Sequence, residues 1–205
     1  MDLTFFYAPG TISLASVIAL EETGVPYTAE KIDFASKQQQ SAAFLKVNPK
    51  ARVPALEGPN GVLTETPAIL TYISSIAPEA GLMPTDPWAA AQVQSYMSYF
   101  ASTVHVNHAH RMRGYRWADG DAAQDAMKAR VAGNMSDCFA LIERDILRGP
   151  WVMGDTYTVA DAHLFTIARW LEADGVEPSA HPAIVDHVAA MSERPAVQRA
   201  VKLAA

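Results

Sequence analysis

The chain has 205 residues, enough for one large domain or two small ones. Half of its residues are hydrophobic and 19% are charged, a balance typical of a globular protein with a substantial core. The formal net charge of −6 argues against nucleic acid or an anionic membrane surface as the main partner. No apolar run approaches the roughly 18 residues of a membrane span.

Cysteine usage and the first residues bear on the compartment. The opening MDLTFF lacks the basic segment of a signal peptide, and we therefore expect a cytoplasmic protein. The single cysteine, Cys138, excludes an internal disulfide framework and fits a reducing compartment. Since Cys138 falls within a helical pattern, we interpret it as a small buried hydrophobe rather than a reactive thiol.

Short strands and helices alternate along the first part of the chain. Residues 2–7 and 27–33 are predicted strands, and the helix between them is expected to end at Gly24. A short helix or turn, a strand in RVPALE, a GPNG turn and a returning strand in VLT follow. The next helix is predicted to have Pro67 as its first residue. The predicted order is therefore β-α-β, an irregular stretch, and β-β-α.

The rest of the chain is predicted to be helical. The proline-rich PEAGLMPTDPW has no hydrophobic periodicity, which predicts a linker over residues 79–87. The linker separates a domain of residues 1–78 from an all-helical domain of residues 88–205. Helices are expected at 88–116, 121–147, 158–173, 181–192 and 195–203.

A capping box is predicted at the start of one of these helices. Thr158 precedes Asp161 by three residues, directly before an apolar run, so each side chain can hydrogen-bond the other's main-chain amide. We interpret Asp161 as a folding device and not as a catalytic carboxylate. His163, His181 and His187 likewise have only structural interpretations.

Two short motifs point to a ligand that resembles an amino acid. Val53-Pro54, between a turn and a strand, is a candidate cis peptide, and the main chain of Val53 is then available to pair with a peptide-like ligand. In LTETPAIL, Thr66 is the predicted N-cap, and the helix start with Glu65 beside it suits a carboxylate and an ammonium group. The alternatives are an ordinary turn proline, a plain cap and a solvated acid.

The ordered combination YAPGTISLAS, NPKARVPALE and LTETPAILTYI resembles the cytosolic glutathione transferases, most closely their bacterial beta-class branch. The proline-rich linker, TVADAHLF and the closing MSERPAVQRA extend the resemblance over essentially the whole chain. It implies a thioredoxin-like α/β domain that binds glutathione, followed by an all-α domain that shapes a pocket for the second substrate.

The resemblance also implies roles for particular residues. Val53 and cis-Pro54 would pair with the cysteinyl main chain of glutathione, and Glu65 and Thr66 would hold its γ-glutamyl end. Cationic partners for the glutathione carboxylates are expected at Lys37 and Arg52, although both could equally be solvated surface charges.

Three residues compete for the hydrogen bond to the glutathione sulfur. Thr11 follows Pro-Gly as the activating serine does in serine-type transferases, Ser13 is the next candidate, and Tyr7 matches the donor of tyrosine-type transferases. We favour them in that order. The beta-class branch has a cysteine between the first two positions where this chain has Ile12, a departure that puts thiol-transfer activity in doubt.

The predicted second domain contributes a histidine-rich segment. His105 matches the beta-class histidine that faces the thiol region. His105, His108 and His110 lie close in sequence, but no acidic or cysteine ligand has matching spacing, so we predict no metal site. The pocket for the electrophile could include side chains that could also be plain core: Tyr99, Met112, Tyr115 and Trp117.

The function predicted from the sequence is glutathione transfer to a small hydrophobic electrophile, with glutathione as co-substrate and no metal. The resemblance also implies a homodimer. The alternative is a weakly catalytic or non-catalytic protein that binds glutathione or hydrophobic ligands on the same scaffold.

Overall fold

A computed structural model describes residues 2–205. Its N-terminal part follows the predicted order, and the Gly24 C-cap is confirmed, since this residue is left-handed and its amide donates to the Leu20 carbonyl at 3.0 Å. The elements are β1 (Thr4–Tyr7), α1 (Ser13–Thr23), β2 (Thr28–Lys31), α2 (Ala42–Val47), β3 (Ala55–Gly58), β4 (Gly61–Thr64) and α3 (Thr66–Ile76).

The four strands form one mixed sheet in the order β2-β1-β3-β4. Strand β1 pairs parallel to β2 and antiparallel to β3, and β3 pairs antiparallel to β4. The register sets Phe6 opposite Ala55, and Ala55 opposite Thr64. The segments that follow β1, precede β3 and follow β4 therefore emerge at the same end of the sheet.

Apolar side chains cover both faces of the sheet. Phe5 is fully buried, as are Ile69 and Ile73 of α3, which packs with α1. Phe6 points to the opposite face because side chains alternate along a strand, and its ring meets Phe44 of α2 edge-on at 5.8 Å. Strand β1 therefore has apolar packing on both faces, with Phe5 buried and Phe6 partly buried, and its carboxyl end leads into the predicted site.

The last helix, α9 (Pro195–Leu203), belongs with the sheet. The chain divides into two compact units, one comprising the residues up to Ala90 together with Ser192–Ala205, and the other Ala91–Met191. Helix α9 packs on α1, and the ion pairs Arg194–Glu22 and Arg199–Glu21 join the two helices, both at 2.7 Å. These long-range contacts place α9 outside the helical unit, whereas the sequence assigned residues 195–203 to the helical domain.

Apart from Pro87, the remaining helices lie within the predicted segments, but the helix that begins at Val159 ends at Ala168, five residues before the predicted end at residue 173. The long segment predicted at 88–116 consists of α4 (Pro87–Tyr99), a π-helical stretch at Phe100–Val104 and α5 (His105–Arg113). The following elements are α6 (Asp121–Leu141), a second π-helical stretch at Ile142–Ile146, α7 (Val159–Ala168) and α8 (Pro182–Ser192). The predicted fold class, a mixed α/β part followed by a mostly helical part, is confirmed.

The predicted capping box is confirmed at the start of α7. The Asp161 carboxylate is completely buried and accepts hydrogen bonds from the amides of Thr158 at 2.8 Å and Val152 at 2.7 Å. His187 approaches the same carboxylate with Nε2 at 3.2 Å. Asp161 therefore joins the helix start, the preceding loop and α8.

None of the helices described over residues 2–205 has the length and apolar character required to cross a membrane.

Candidate functional site

The loop after β1 places two hydroxyl side chains at the start of α1. Gly10 has φ +68°, a left-handed conformation that favours glycine, and it turns the chain between the strand and the helix. Thr11 follows in the turn, and Ser13 is the first residue of α1. Neither hydroxyl caps the helix, because both turn back toward the end of the strand.

The two hydroxyls and the Ala8 carbonyl form a compact triangle. Thr11 Oγ1 lies 2.7 Å from Ser13 Oγ and 2.8 Å from the Ala8 carbonyl, which is 3.1 Å from Ser13 Oγ. Two main-chain amides donate into the triangle at 3.3 Å, Ala8 N–H to Ser13 Oγ and Ser13 N–H to Thr11 Oγ1.

Burial distinguishes the three residues that the sequence offers as sulfur donors. The Ser13 side chain is completely buried, whereas Thr11 is partly exposed. Tyr7 is also buried, and its hydroxyl donates to the Leu203 carbonyl of α9 at 3.2 Å. Thr11 is therefore the one of the three whose hydroxyl an incoming thiol can approach without disrupting the core.

The predicted cis peptide at Val53-Pro54 is confirmed. Val53 is largely buried and packs with Ala8 in one apolar cluster. Within residues 2–205, no hydrogen bond engages the main-chain amide or carbonyl of Val53. Buried main-chain groups almost always have a hydrogen-bond partner, so this segment can accept a ligand's main chain.

Glu65 occupies the turn between β4 and α3, at the same end of the sheet. Its φ of +75° is rare for a residue with a side chain. The structure corrects the predicted helix start: Thr66, not Pro67, is the first helical residue, and Glu65 takes the N-cap position without a side-chain cap. The reason is that Glu65 leaves the strand in the left-handed region, which turns the chain one residue earlier than the proline predicts.

Sequence reasoning missed one residue beside Glu65. Lys50 Nζ lies 2.5 Å from Glu65 Oε1 and 2.6 Å from Thr64 Oγ1. Lys50 and Thr64 are 14 positions apart, so no local sequence pattern predicts that Lys50 contacts this turn.

The two predicted cations, Lys37 and Arg52, are both exposed and make no ion pair within residues 2–205. Lys37 has φ +58° in the loop before α2, and Arg52 directly precedes Val53. A cleft of about 460 Å³ opens beside Ala8 and Pro9, where it is bordered by residues 31–35.

His105 belongs to the other compact unit and starts α5. Its Nε2 lies 3.3 Å from Arg113 Nη2, and its ring centroid is 5.1 Å from that of Trp170. His108 stacks on the same indole at 4.1 Å and binds the buried Asp174 carboxylate through Nδ1 at 2.7 Å. Among the described residues, no three histidine, cysteine or acidic side chains form a group that could hold a metal ion.

The other candidates in this unit divide by exposure. Met112, Tyr115 and Trp117 are exposed, which excludes a plain core role for them. Tyr99 is partly buried, and burial together with a hydrogen bond to Cys138 raises the pKa of its hydroxyl. Cys138 is buried as predicted, but it is not purely apolar in its contacts, because Asn107 Nδ2 donates to its sulfur at 3.5 Å.

The three histidines that follow in the sequence after His110 have structural surroundings. His163 is completely buried, and burial lowers its pKa to about 3. His181 pairs with Glu143 through Nδ1 at 3.1 Å, and His187 pairs with Asp161.

This architecture, a mixed four-stranded sheet with two hydroxyls at its end and a helical unit after it, is a thioredoxin-like domain extended by helices. The family model of the glutathione S-transferase N-terminal domain matches residues 1–75, and that of the C-terminal domain matches residues 91–195. The chain therefore belongs to the glutathione S-transferase family.

Individual relatives agree with this assignment. A glutathione transferase homologue from Sulfitobacter, solved with bound glutathione, is 46% identical over 98% of each chain, with a TM-score of 0.96. A bacterial beta class glutathione S-transferase from Sphingomonas chungbukensis is 31% identical over 98% of each chain, with a TM-score of 0.85. A maleylpyruvate isomerase from Ralstonia is 29% identical over 208 aligned residues, which cover 100% of this chain and 98% of the relative.

Proposed function

We propose that the protein transfers glutathione to a small hydrophobic electrophile, and that the Thr11 hydroxyl stabilises the glutathione thiolate. The observation that carries this proposal is the partly exposed Thr11 hydroxyl at the sheet end, where the main chain of Val53 has no partner within residues 2–205. A ligand bound along Val53 would bring its sulfur toward the start of α1.

The chemistry needed is the ionisation of a thiol. An unperturbed thiol has a pKa of about 8.5, so at pH 7 only a few per cent is thiolate. Each unit by which a site lowers that pKa corresponds to about 1.4 kcal/mol of preferential binding of the thiolate. A hydroxyl hydrogen bond, aided by the positive end of α1, can supply one or two such units. The proton leaves to solvent, and neither a metal nor a general base is required.

We assign the remaining site residues to binding. Glu65 would accept the ammonium of the γ-glutamyl group, and Thr66 with the first amides of α3 would hold its carboxylate. The positive φ of Glu65 supports this role, because backbone strain of this kind is concentrated at ligand sites. Lys50 holds the Glu65 carboxylate in place, while Lys37 and Arg52 supply charge for the glycyl carboxylate of glutathione.

Ile12 limits the chemistry. It is buried and stands where the beta-class branch has a cysteine, so the chain offers no thiol here for a mixed disulfide with glutathione. We therefore propose conjugation through bound thiolate rather than thiol transfer.

The rest of the proposed function rests on the family. We propose that His105 faces the thiol region, and that Tyr99, Met112, Tyr115 and Trp117 border the pocket for the electrophile. We further propose a cytoplasmic homodimer.

The test measures glutathione binding and thiolate formation in the same titration. Ultraviolet absorbance of the bound thiolate against pH should give a thiol pKa at least about one unit below that of free glutathione. Thr11→Val should raise that pKa toward the free value, and Thr11→Ser, which keeps the hydroxyl, should not. Glu65→Ala should instead weaken binding at least about tenfold, since a charge-assisted hydrogen bond contributes about 1.5–3 kcal/mol and each 1.4 kcal/mol is tenfold.

Two results would favour other functions. Binding of glutathione without a lowered thiol pKa, and without turnover of an activated aryl halide, would favour the non-catalytic alternative. Turnover of a cis-configured unsaturated diacid in place of the aryl halide would favour an isomerase, the activity named for the Ralstonia relative. No binding at all would exclude the transferase proposal.

A further inference from the structure

The triangle of Thr11, Ser13 and Ala8 holds more hydrogen bonds than its two hydroxyl hydrogens can serve at once. Three contacts need a hydroxyl hydrogen: Thr11 to Ala8, Ser13 to Ala8, and the 2.7 Å contact between the two hydroxyl oxygens. Each hydroxyl has one hydrogen to donate. The triangle therefore has alternative hydrogen arrangements.

Two arrangements keep a hydrogen between the two hydroxyl oxygens. In the first, Ser13 donates to Thr11 Oγ1, and Thr11 donates to the Ala8 carbonyl at 2.8 Å. In the second, Thr11 donates to Ser13 Oγ, and Ser13 donates to the Ala8 carbonyl at 3.1 Å. Without a ligand, both satisfy the carbonyl.

A thiolate beside Thr11 distinguishes between them. If Thr11 turns its hydrogen outward in the second arrangement, the two hydroxyl oxygens face each other at 2.7 Å with no hydrogen between them. That contact is repulsive, because each oxygen then presents only lone pairs. Once Thr11 turns outward, one hydroxyl hydrogen remains for the three contacts. The first arrangement keeps it on the shortest contact, 2.7 Å between the two hydroxyls, and leaves the Ala8 carbonyl without a hydroxyl donor.

We propose that Ser13 is a positioning residue whose buried hydroxyl donates to Thr11 Oγ1, so that the Thr11 hydrogen is directed to the glutathione sulfur. The inference rests on the proposed function. The resulting chain runs from the Ala8 amide to Ser13 Oγ, from Ser13 to Thr11 Oγ1 and from Thr11 to the sulfur. The Ser13 amide donates to Thr11 Oγ1 as well. A hydroxyl oxygen that accepts two hydrogen bonds is a stronger donor, since hydrogen bonds in a chain polarise one another.

The test is a double-mutant cycle read by the pKa of the bound thiol. Thr11→Val should raise this pKa by about one unit or more, and Ser13→Ala should raise it by about half a unit, a roughly threefold loss of thiolate well below the pKa. Because Ser13 acts through Thr11, adding Ser13→Ala to Thr11→Val should change the thiol pKa no further. Ser13→Cys, which keeps a weak donor, should give an intermediate value.

Ser16 provides a matched control one helical turn along α1. Its side chain is also completely buried, and its hydroxyl has no hydrogen-bond partner among the described residues. Ser16→Ala should leave the thiol pKa unchanged and so report the effect of simply removing a buried hydroxyl from this helix.

The possible failures are separable. If Ser13→Ala raises the thiol pKa equally in both backgrounds, Ser13 acts directly or through the loop, and the relay is overturned while glutathione activation stands. An unchanged thiol pKa in Ser13→Ala overturns it too. If the wild-type protein does not lower the pKa of bound glutathione, the proposed function itself fails.

Discussion

Two helices of this protein follow a threonine, and the hydroxyl groups at their starts are used in opposite ways. At α7, Thr158 and Asp161 are completely buried and bind the surrounding main-chain amides. At α1, the N-cap residue is Ile12 and makes no side-chain cap, Thr11 accepts only the Ser13 amide at 3.3 Å, and Thr11 remains partly exposed. A polar group fully satisfied in the interior stabilises the fold, whereas one with an exchangeable hydrogen bond near the surface can act on a ligand.

The largest effect should follow from removal of the Asp161 carboxylate. Asp161→Ala leaves the buried amides of Thr158 and Val152 without acceptors, at about 1–3 kcal/mol each. We therefore expect the free energy of unfolding to fall by about 3–5 kcal/mol, measured by chemical denaturation. Asp155→Ala, at an exposed position six residues before Asp161, should stay within about 0.5 kcal/mol of the wild type. Equal losses in both variants would contradict a special role for the α7 start.

The loss of stability at acidic pH should depend on a second buried side chain of α7, His163. The pKa of His163 is lowered to about 3 by burial, against an ordinary value of 6.5. A histidine with a depressed folded-state pKa binds its proton preferentially when unfolded. The stability that its neutral imidazole contributes is therefore complete above pH 6.5 and is lost as the pH falls toward 3.

Across that window the free energy of unfolding should fall by about 1.4 kcal/mol for each unit of decrease in pH. At pH 4.5 the wild type should thus have lost about 3 kcal/mol more than His163→Phe, measured from the stability of each variant at neutral pH. Parallel pH profiles for the two proteins would show that His163 does not titrate in this way.

Thr11→Val should change the chemistry and not the fold. The hydroxyl is partly exposed but bonds the Ala8 carbonyl and the Ser13 hydroxyl, so we expect the free energy of unfolding to fall by about 1 kcal/mol, less than for Asp161→Ala. Turnover with an activated aryl halide should fall about tenfold at neutral pH, the consequence of about one unit in the pKa of the bound thiol. A fall of more than about 2 kcal/mol, without a change in turnover, would show that the Thr11 hydroxyl stabilises the fold and does not act on the ligand.

The smallest effect should come from the matched change, Thr158→Val. It removes a hydroxyl from a capping box without changing side-chain size, which typically costs about 1 kcal/mol. Denaturation should show this loss, while the pKa of bound glutathione thiol stays at the wild-type value. Any shift in the thiol pKa comparable to that of Thr11→Val would contradict the comparison between the two helix starts.

Local sequence determined much of this structure. The helix end at Gly24, the cis peptide at Val53-Pro54 and the capping box at Thr158 and Asp161 each depend on residues within a few positions of one another. Such contacts are encoded where they form, because their hydrogen bonds span only a turn or a cap. The same reasoning recognised the family from ordered motifs and singled out Ile12.

Tertiary structure decided the features that join distant segments. Tyr7 and Leu203 are 196 residues apart, and their hydrogen bond removes Tyr7 from the group of accessible donors. Lys50, which precedes β3, pairs with Glu65, which follows β4. Helix α9, at the end of the chain, packs on α1, near its beginning. Sequence alone nominated Thr11, Ser13 and Tyr7 together because it shows which groups are present. Only packing determines which hydroxyl is buried and which can reach a ligand, because burial depends on neighbours far away in the chain.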